Sequence, residues 1–222
     1  MNLSDNSYYK YRPLDDLEKF FDTILKKRLF GAIYKDLNDP MEGKFNKEGL
    51  DQHQLDTIYQ LLRRTRICSL MKKGEKPFPD DFLMWSHYAA GHTGCCFEIE
   101  TTNRNNAKWE LIPILYKDHM PIIECGGREA VKSILSTKVD IWRNENEVRA
   151  IRIFDRKEEL STLSPYYAIK IKSVYLGRKV QYEKRDFIKR IVSSIDKSIK
   201  VYRMIEDNHS SDLYPTLSIK EI

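Results

Sequence analysis

The sequence has few cysteines, and their arrangement does not predict a zinc site. Only four of its 222 residues are cysteine. Cys95 and Cys96 are adjacent, Cys68 and Cys125 stand alone, and no Cys-x-x-Cys pair occurs. Structural zinc sites usually pair their cysteines at short spacing. We therefore expect no metal centre, and small buried thiols at positions 68, 95 and 96.

Long apolar runs, glycine-rich nucleotide motifs and internal repeats are also missing. No stretch approaches the ~20 apolar residues that a transmembrane helix needs. The first residues contain no basic region followed by an apolar run, which predicts a cytoplasmic protein without a secretory signal and with no membrane as a partner. Because neither Gly-x-Gly-x-x-Gly nor a P-loop is present, a classical dinucleotide or nucleoside-triphosphate fold is not supported.

The composition provides material for a core and a mild excess of positive charge. Hydrophobic residues make up 41% of the chain and charged residues 32%, which argues against wholesale disorder. Lysine and arginine number 38 against 33 for aspartate and glutamate, giving a formal charge of +5. This surplus permits a nucleic-acid partner without requiring one.

Hydrophobic periodicity predicts helices and strands that mix without a regular βαβ rhythm. Helical spacing of apolar residues covers 14–28 and 49–64, and a strand is expected over 145–154. This mixture predicts an α+β fold, with a mixed or antiparallel split sheet flanked by helices. We expect a single domain over 1–206 and a polar C-terminal tail over 207–222.

The first candidate for chemistry is Glu145-x-Glu147-x-Arg149. In a strand the three side chains share one face, because successive residues alternate between faces. Two neighbouring carboxylates shift each other's titration, and a nearby arginine compensates their charge. Taken alone, the trio also fits a row of surface salt bridges on an edge strand.

Three other segments carry polar or aromatic side chains of interest. Residues 84–89 form a short aromatic helix whose His87, taken alone, is more typical of a structural residue than of a catalyst. The Asn-Asp-Pro in 38–42 is typical of a turn closed by Asx hydrogen bonds. In 9–12, a strand-prone segment, Arg12 could hold a phosphate through its planar set of donors.

Taken in order, these segments resemble a bacterial family known as a domain of unknown function, number twenty-nine seventy-one. More distantly, the layout resembles the ADP-ribosyltransferase fold, which has an Arg, His or Tyr on an early strand and a Glu-x-Glu pair on a late one. For its middle serine element, Ser69 and Ser86 are the candidates. The residues that carry the family resemblance are Tyr9-Lys10-Tyr11-Arg12, Asn38-Asp39-Pro40-Met41-Glu42, Met84-Trp85-Ser86-His87-Tyr88-Ala89 with Gly94, and Trp142 with Glu145, Glu147 and Arg149.

The resemblance implies an enzyme that consumes NAD, an ADP-ribosyltransferase, with Glu147 and Glu145 as catalytic residues. Glu147 would hold the ribose hydroxyl beside the developing oxocarbenium charge, and Glu145 would orient or deprotonate the acceptor. Arg12 would grip the pyrophosphate, and aromatic rings would stack on nicotinamide or adenine. The implied NAD-binding residues are Tyr11, Arg12, Asn38, Trp85, His87, Tyr88, Trp142 and Arg149.

Acceptor and partner stay open at this point. The acceptor could be nucleic acid, RNA or DNA, or a protein. The resemblance to small bacterial toxins and phage-defence effectors implies a neutralising antitoxin or inhibitory protein. A metal-dependent nuclease or phosphodiesterase is an alternative, with Glu145, Glu147, Asp39 and His87 as ligands. A non-catalytic RNA-binding module is another.

Overall fold

A computed structural model of the chain has the expected α+β class. Within the residues that the structure describes, most strand pairings are antiparallel. Within the described part of the chain, no helix is long and apolar enough to cross a membrane. The residues that the structure describes are 7–102, 108–124, 126–156, 159, 163–207 and 216–222.

The helices and strands alternate irregularly along the chain. The helices are α1 Leu17–Lys26, α2 Gln52–Arg63, α3 Phe82–Tyr88, α4 Arg128–Leu135 and α5 Tyr182–Ile195, with 3₁₀ turns at Tyr34–Asp36 and Asp140–Glu145. The strands are β1 Ser7–Arg12, β2 Arg28–Phe30, β3 Thr65–Lys72, β4 Cys95–Thr101, β5 Glu110–Pro113, β6 Leu115–Lys117, β7 Thr137–Val139, β8 Glu147–Ile153, β9 Tyr166–Leu176, β10 Lys200–Asp207 and β11 Thr216–Glu221.

The chain forms two compact units, each assembled from separate segments. The first unit contains Met1–Arg28, Met71–Thr102 and Ala168–Ile222. The second contains Leu29–Leu70 and Asn103–Tyr167. The domain limits expected from the sequence stay a prediction.

In the first unit the strands follow the order β11-β10-β9-β4-β1, and the last residues of β3 pair with β1. One face of this sheet carries a cluster around Tyr9, Tyr11 and Trp85, with α3 packed on it. On α1, Phe20 stacks against Phe97 of β4 at 5.4 Å between ring centroids. Burial of such aromatic rings is the main stabilising contribution to a core of this kind.

The helices of this unit begin where the sequence provides a cap. Asp16 accepts a hydrogen bond from the backbone N–H of Lys19 at 3.0 Å and starts α1. Asp81 accepts from the N–H groups of Leu83 and Met84 and starts α3. Such side-chain caps satisfy backbone donors that the first turn of a helix leaves free.

In the second unit, β8 lies between β3 and β5, and α2 and α4 pack together beside these strands. A capping box starts α2, because Asp51 and Gln54 each accept from the other's backbone N–H. The apolar core of this unit is formed by Phe45, Ile58, Leu62, Ile67, Ile123, Ala130, Val131, Ile134, Leu135, Ile151 and Ile153.

Two parts of the chain differ from the expectation. The segment expected as a tail, 207–222, contains β11, which pairs with β10 and buries Leu217. The strand expected over 145–154 starts only at Glu147. The expected burial of Cys68, Cys95 and Cys96 is confirmed, and all three are free thiols.

Candidate functional site

Glu147 and Arg149 form a buried ion pair on one face of β8. The two residues retain 6% and 1% exposure. Arg149 donates from Nε to Glu147 Oε1 at 2.7 Å and from Nη2 to Oε2 at 3.2 Å. Because β8 lies between two other strands, the alternative of a surface row on an edge strand is wrong for this pair.

Glu145 does not lie on the strand, which corrects the expectation that it alternates with Glu147. It ends the 3₁₀ turn Asp140–Glu145, and Asn146 then adopts a left-handed conformation with φ 43° and ψ 47°. Asparagine tolerates this conformation better than most residues because its short polar side chain bonds locally. The backbone therefore turns between the two glutamates, and strand alternation begins only at the second.

Lys138 nevertheless brings the two carboxylates together. Its Nζ donates to Oε2 of Glu145 and, at 3.3 Å, to Oε2 of Glu147. The ammonium group is also 4.9 Å from the ring centroid of Trp142, within cation–π range. Lys138 is only 5% exposed, so this lysine is held inside the protein by its charged partners.

Arg149 makes a second carboxylate contact, with Glu42. Nη1 donates to Glu42 Oε2 at 2.8 Å and Nη2 to Glu42 Oε1. Nη1 also donates to the carbonyl oxygen of Leu135 at 2.8 Å. All the guanidinium nitrogens are thus engaged, and bidentate contacts fix its plane. We call Glu42, Lys138, Glu145, Glu147 and Arg149 the buried polar cluster.

Two hydroxyl groups complete the surroundings of Glu147. Ser69 on β3 donates a hydrogen bond to the Glu147 carboxylate, and β3 is the neighbouring strand in the sheet. The backbone N–H of Glu147 donates to Tyr116 Oη at 2.8 Å. Of the two serines expected from the sequence, Ser69 is therefore the one that contacts this glutamate.

The ionisation of Glu147 is controlled by these partners. Burial raises the pKa of its carboxyl, but the charges of Arg149 and Lys138 and hydrogen bonds from Arg149 and Ser69 outweigh burial. The net effect lowers the pKa of Glu147 to about 2. Glu147 is therefore a carboxylate of fixed orientation and fixed charge at neutral pH.

The residues expected to form one NAD site belong to different units of the fold. The second unit holds Asn38, exposed on a loop, and Trp142, half-buried. The Asx turn expected beside Asn38 is confirmed, because Asp39 Oδ1 accepts from the N–H of Met41 at 2.9 Å. Members of the second unit are Asn38, Trp142, Glu145, Glu147 and Arg149, and members of the first are Tyr11, Arg12, Trp85, His87 and Tyr88.

In the first unit, the aromatic residues of this set differ in exposure. Trp85 is fully buried and donates from Nε1 to the carbonyl oxygen of Pro79 at 2.6 Å. Its ring meets that of Tyr11 edge to face at 5.3 Å. His87 is exposed beside the half-buried Tyr88. Trp85 and Tyr11 are therefore core residues of the unit, and His87 and Tyr88 lie nearer to its surface.

Sequence reasoning missed Lys138 and Tyr116 and gave no role to Glu42. Glu42 belongs to the segment 38–42, which carries part of the family resemblance, so the sequence did point to its position. Lys138 and Tyr116 lie on the short strands β7 and β6, and nothing in their sequence context distinguishes them from surface residues. Only the packing of α4, β6 and β7 around β8 brings them to Glu147.

Chemically, the cluster provides a carboxylate that is ionised, oriented and shielded from water. Three carboxylates, Glu42, Glu145 and Glu147, stand against two cations, Lys138 and Arg149. Among these five residues the formal charge is three negative against two positive, an excess of one negative charge. A buried site of this charge favours a cationic centre nearby.

Comparison of the chain with protein-family models, curated proteins and solved structures finds no match.

Proposed function

We propose that the chain is an ADP-ribosyltransferase that consumes NAD and uses the Glu147 carboxylate to stabilise the transition state. One observation carries the proposal: the buried polar cluster has a formal excess of one negative charge, centred on a carboxylate with a pKa of about 2. Fixed charge in a site shielded from water stabilises an opposite charge that develops during reaction. The reaction implied by the sequence resemblance develops such a charge on ribose.

In the proposed step, the bond between C1′ of the ribose and the ring nitrogen of nicotinamide breaks. Its electron pair stays with nicotinamide, which leaves as a neutral molecule, and positive charge spreads over C1′ and the ribose ring oxygen. An oxygen or nitrogen atom of the acceptor forms the new bond to C1′ and loses a proton. Glu147 stabilises the cationic ribose, and Glu145 receives the proton.

Glu147 Oε2 is the atom best suited to contact a ribose hydroxyl. It accepts from Lys138 Nζ at 3.3 Å and from Arg149 Nη2 at 3.2 Å, and both contacts are long for charged hydrogen bonds. A carboxylate oxygen can accept more than one hydrogen bond, so a ribose hydroxyl can add to these contacts or replace the longer one. Lys138 and Arg149 act as positioning residues.

The contact between Ser69 and Glu147 supports the same proposal. The ADP-ribosyltransferase fold has a serine element between its early and late motif strands, and the sequence left that element undecided. Ser69 meets Glu147 from the neighbouring strand β3.

The alternative of a metal-dependent nuclease has less support from the geometry. The carboxylates of Glu145 and Glu147 are engaged by Lys138 and Arg149. A divalent cation would have to displace both positive groups before it reached its usual set of oxygen ligands. Cleavage of nucleic acid that stops in a chelator and needs no NAD would favour this alternative.

The test is release of nicotinamide from labelled NAD, with RNA, DNA and protein offered as acceptors. The wild-type chain should release nicotinamide and transfer label to one acceptor class, and Glu147→Gln should lower the rate by a factor of about 100 or more. No turnover with any acceptor would contradict the proposed function. A fully active Glu147→Gln chain would contradict the role of this carboxylate.

Glu98→Gln is the matched control for loss of a buried carboxylate. Glu98 is 6% exposed and accepts from Lys73 Nζ at 2.8 Å and from Tyr175 Oη at 2.9 Å. Its removal should destabilise the first unit and leave the rate per folded molecule close to that of the wild type. Circular dichroism at the assay temperature gives the folded fraction of each variant.

A further inference from the structure

A row of residues across the first unit ends in an arginine on each side. Arg12 on β1 pairs with Cys95 on β4, and Cys95 pairs with Leu176 on β9. Leu176 in turn pairs with Arg203 on β10. Residues paired directly across strands point to the same face of a sheet. The two arginines therefore lie on one face, three strand spacings or roughly 14 Å apart at the backbone.

Lys184, in the first turn of α5, lies close to one end of this row. Its ammonium group donates to the carbonyl oxygen of Leu14, just after β1. Burial raises the pKa of the Cys95 thiol to about 12, and the nearby charges of Arg12 and Lys184 oppose that rise. The positive charges of Arg12 and Lys184 therefore both lie close to Cys95 on β4.

Arg185, the next residue of α5, lies close to the other end. Burial lowers the pKa of its guanidinium, and the positive charge of Arg203 lowers it further. Tyr182 and Glu183 raise the pKa of Arg185. Glu183 nevertheless forms no ion pair with Arg185 within the described residues. The start of α5 thus links the two arginines of the row with further positive charge.

The arginines of this surface have no carboxylate partner within the described residues, whereas other cations of the unit do. Among the residues that the structure describes, Arg12, Arg185 and Arg203 form no salt bridge, whereas Arg178 pairs with Glu206. The Nε atoms of Arg12 and Arg203, like that of Arg178, are buried and have no hydrogen-bond partner in the described chain. Half-buried cations without partners are costly, and a bound anion offsets that cost.

An exposed aromatic ring adjoins this positive surface. Tyr182 is 68% exposed at the first residue of α5. The guanidinium carbon of Arg185 lies 5.9 Å from the centre of its ring. Surfaces that bind single-stranded nucleic acid combine cations for the phosphates with aromatic rings on which bases stack.

We propose that Arg12, Lys184, Arg185, Arg203 and Tyr182, which we call the basic strip, bind single-stranded nucleic acid. The width of the strip, roughly 14 Å, exceeds one phosphate group and suits successive phosphates of a strand. Tyr182 stacks on a base, and the cations contact the phosphates. The binding of single-stranded nucleic acid by the strip does not depend on the proposed function. Only the further inference that the strip holds an acceptor for ADP-ribosylation rests on the proposed function.

The test is fluorescence anisotropy with a labelled oligouridylate of roughly 12 nucleotides, a length within the usual site sizes, in the absence of NAD. The variant Arg185→Gln/Arg203→Gln should bind at least about tenfold more weakly than the wild type. The slope of log affinity against log salt concentration should fall in magnitude by about 1.4, because each lost phosphate contact on a single strand contributes ~0.7. Arg12 stays unchanged because the sequence resemblance assigns it to NAD.

The matched control is Lys72→Gln/Lys197→Gln, which removes the same charge from exposed positions of the same unit that form no salt bridge within the described residues. It should leave the affinity within about twofold of the wild type, because distant surface charges act only through a screened field. Equal losses in the two double variants, or no binding by the wild type at low salt, would overturn the proposal.

Substitutions of Tyr182 distinguish the stacking of bases from general electrostatic attraction. Tyr182→Ala should weaken binding by about fivefold or more without changing the salt slope, and Tyr182→Phe should bind like the wild type. Wild-type affinity in Tyr182→Ala would overturn the stacking role. Oligonucleotide binding without NAD turnover would contradict only the proposed enzyme, and NAD turnover without oligonucleotide binding would contradict only the basic strip.

Discussion

Arg149 holds the Glu42 carboxylate through both terminal nitrogens of its guanidinium, although 107 positions separate the two residues along the chain. The same guanidinium contacts Glu147, two residues away. The buried guanidinium of Arg149 therefore connects a loop of the second unit to β8. It also orients Glu147, the residue to which we assign catalysis.

Arg149→Lys should destabilise the protein by about 3 kcal/mol even though it keeps the positive charge. A lysine ammonium cannot hold two carboxylates in the plane that the guanidinium fits, so buried oxygens lose partners. Urea unfolding gives the free energy. Arg152→Lys on the same strand is the control. Within the described residues, Arg152 makes one hydrogen bond, to the carbonyl oxygen of Ser164, and lies over the Phe154 ring, so this substitution should cost less than about 1 kcal/mol. Equal costs would contradict the role given to the bidentate contacts.

Glu147 should make the stability of the protein sensitive to acid. Its pKa in the folded protein is about 2, against 4.5 for the ordinary carboxyl group. A carboxyl whose pKa falls on folding contributes stability that is complete above pH ~4.5 and is lost as the pH drops toward ~2. The contribution at neutral pH is about 3 kcal/mol, since one pKa unit corresponds to ~1.4 kcal/mol.

The variant Glu147→Gln removes the titrating carboxyl group, so comparison with the wild type measures the contribution of that group to stability. The difference in unfolding free energy between wild type and variant should shrink as the pH falls from about 5 to about 3, because only the wild type loses this contribution. Urea unfolding over a pH series measures it. Glu129→Gln, at an exposed position of α4, should show no such trend. A difference that stays constant through the acid range would refute the assigned pKa.

Asn146 should tolerate glycine better than alanine. Its left-handed conformation, with φ 43°, separates the 3₁₀ turn from β8, and a residue with a branched or apolar Cβ is strained there. Asn146→Ala should cost about 1 kcal/mol more than Asn146→Gly in thermal or urea unfolding. Asn144→Ala, two residues earlier and outside the positive-φ positions of the described chain, should be close to neutral.

Gly94 should not accept even a methyl group. A Cβ at this position would lie 2.8 Å from the carbonyl oxygen of Ala89 and closer still to that of Arg12, both rigid backbone atoms. Gly94→Ala should cost more than about 3 kcal/mol or prevent folding, because the surroundings cannot move aside. Gly74→Ala is the control, since no atom of the described residues lies within 4 Å of a Cβ there. An unfolding midpoint of Gly94→Ala equal to that of the control would contradict the crowding.

Much of the local structure could be predicted from the sequence. Apolar residues at helical spacing predicted α1 and α2, and strand alternation predicted that Glu147 and Arg149 share a face. These features depend on residues within a few positions of one another, so their periodicity is visible in the sequence. The left-handed Asn146 was not predicted, because asparagine is compatible with several backbone conformations and the surrounding fold selects one.

The sequence by itself determined the α+β class, the positions of α1 and α2, and the presence of acidic and basic side chains near β8. Only the tertiary structure decided that Glu147 is buried, that Lys138 and Glu42 complete its cluster, and that Arg12 and Arg203 share one face of a sheet. The physical reason is that burial and charge pairing depend on what packs against a residue. Those neighbours come from distant parts of the chain, where local periodicity carries no information about them.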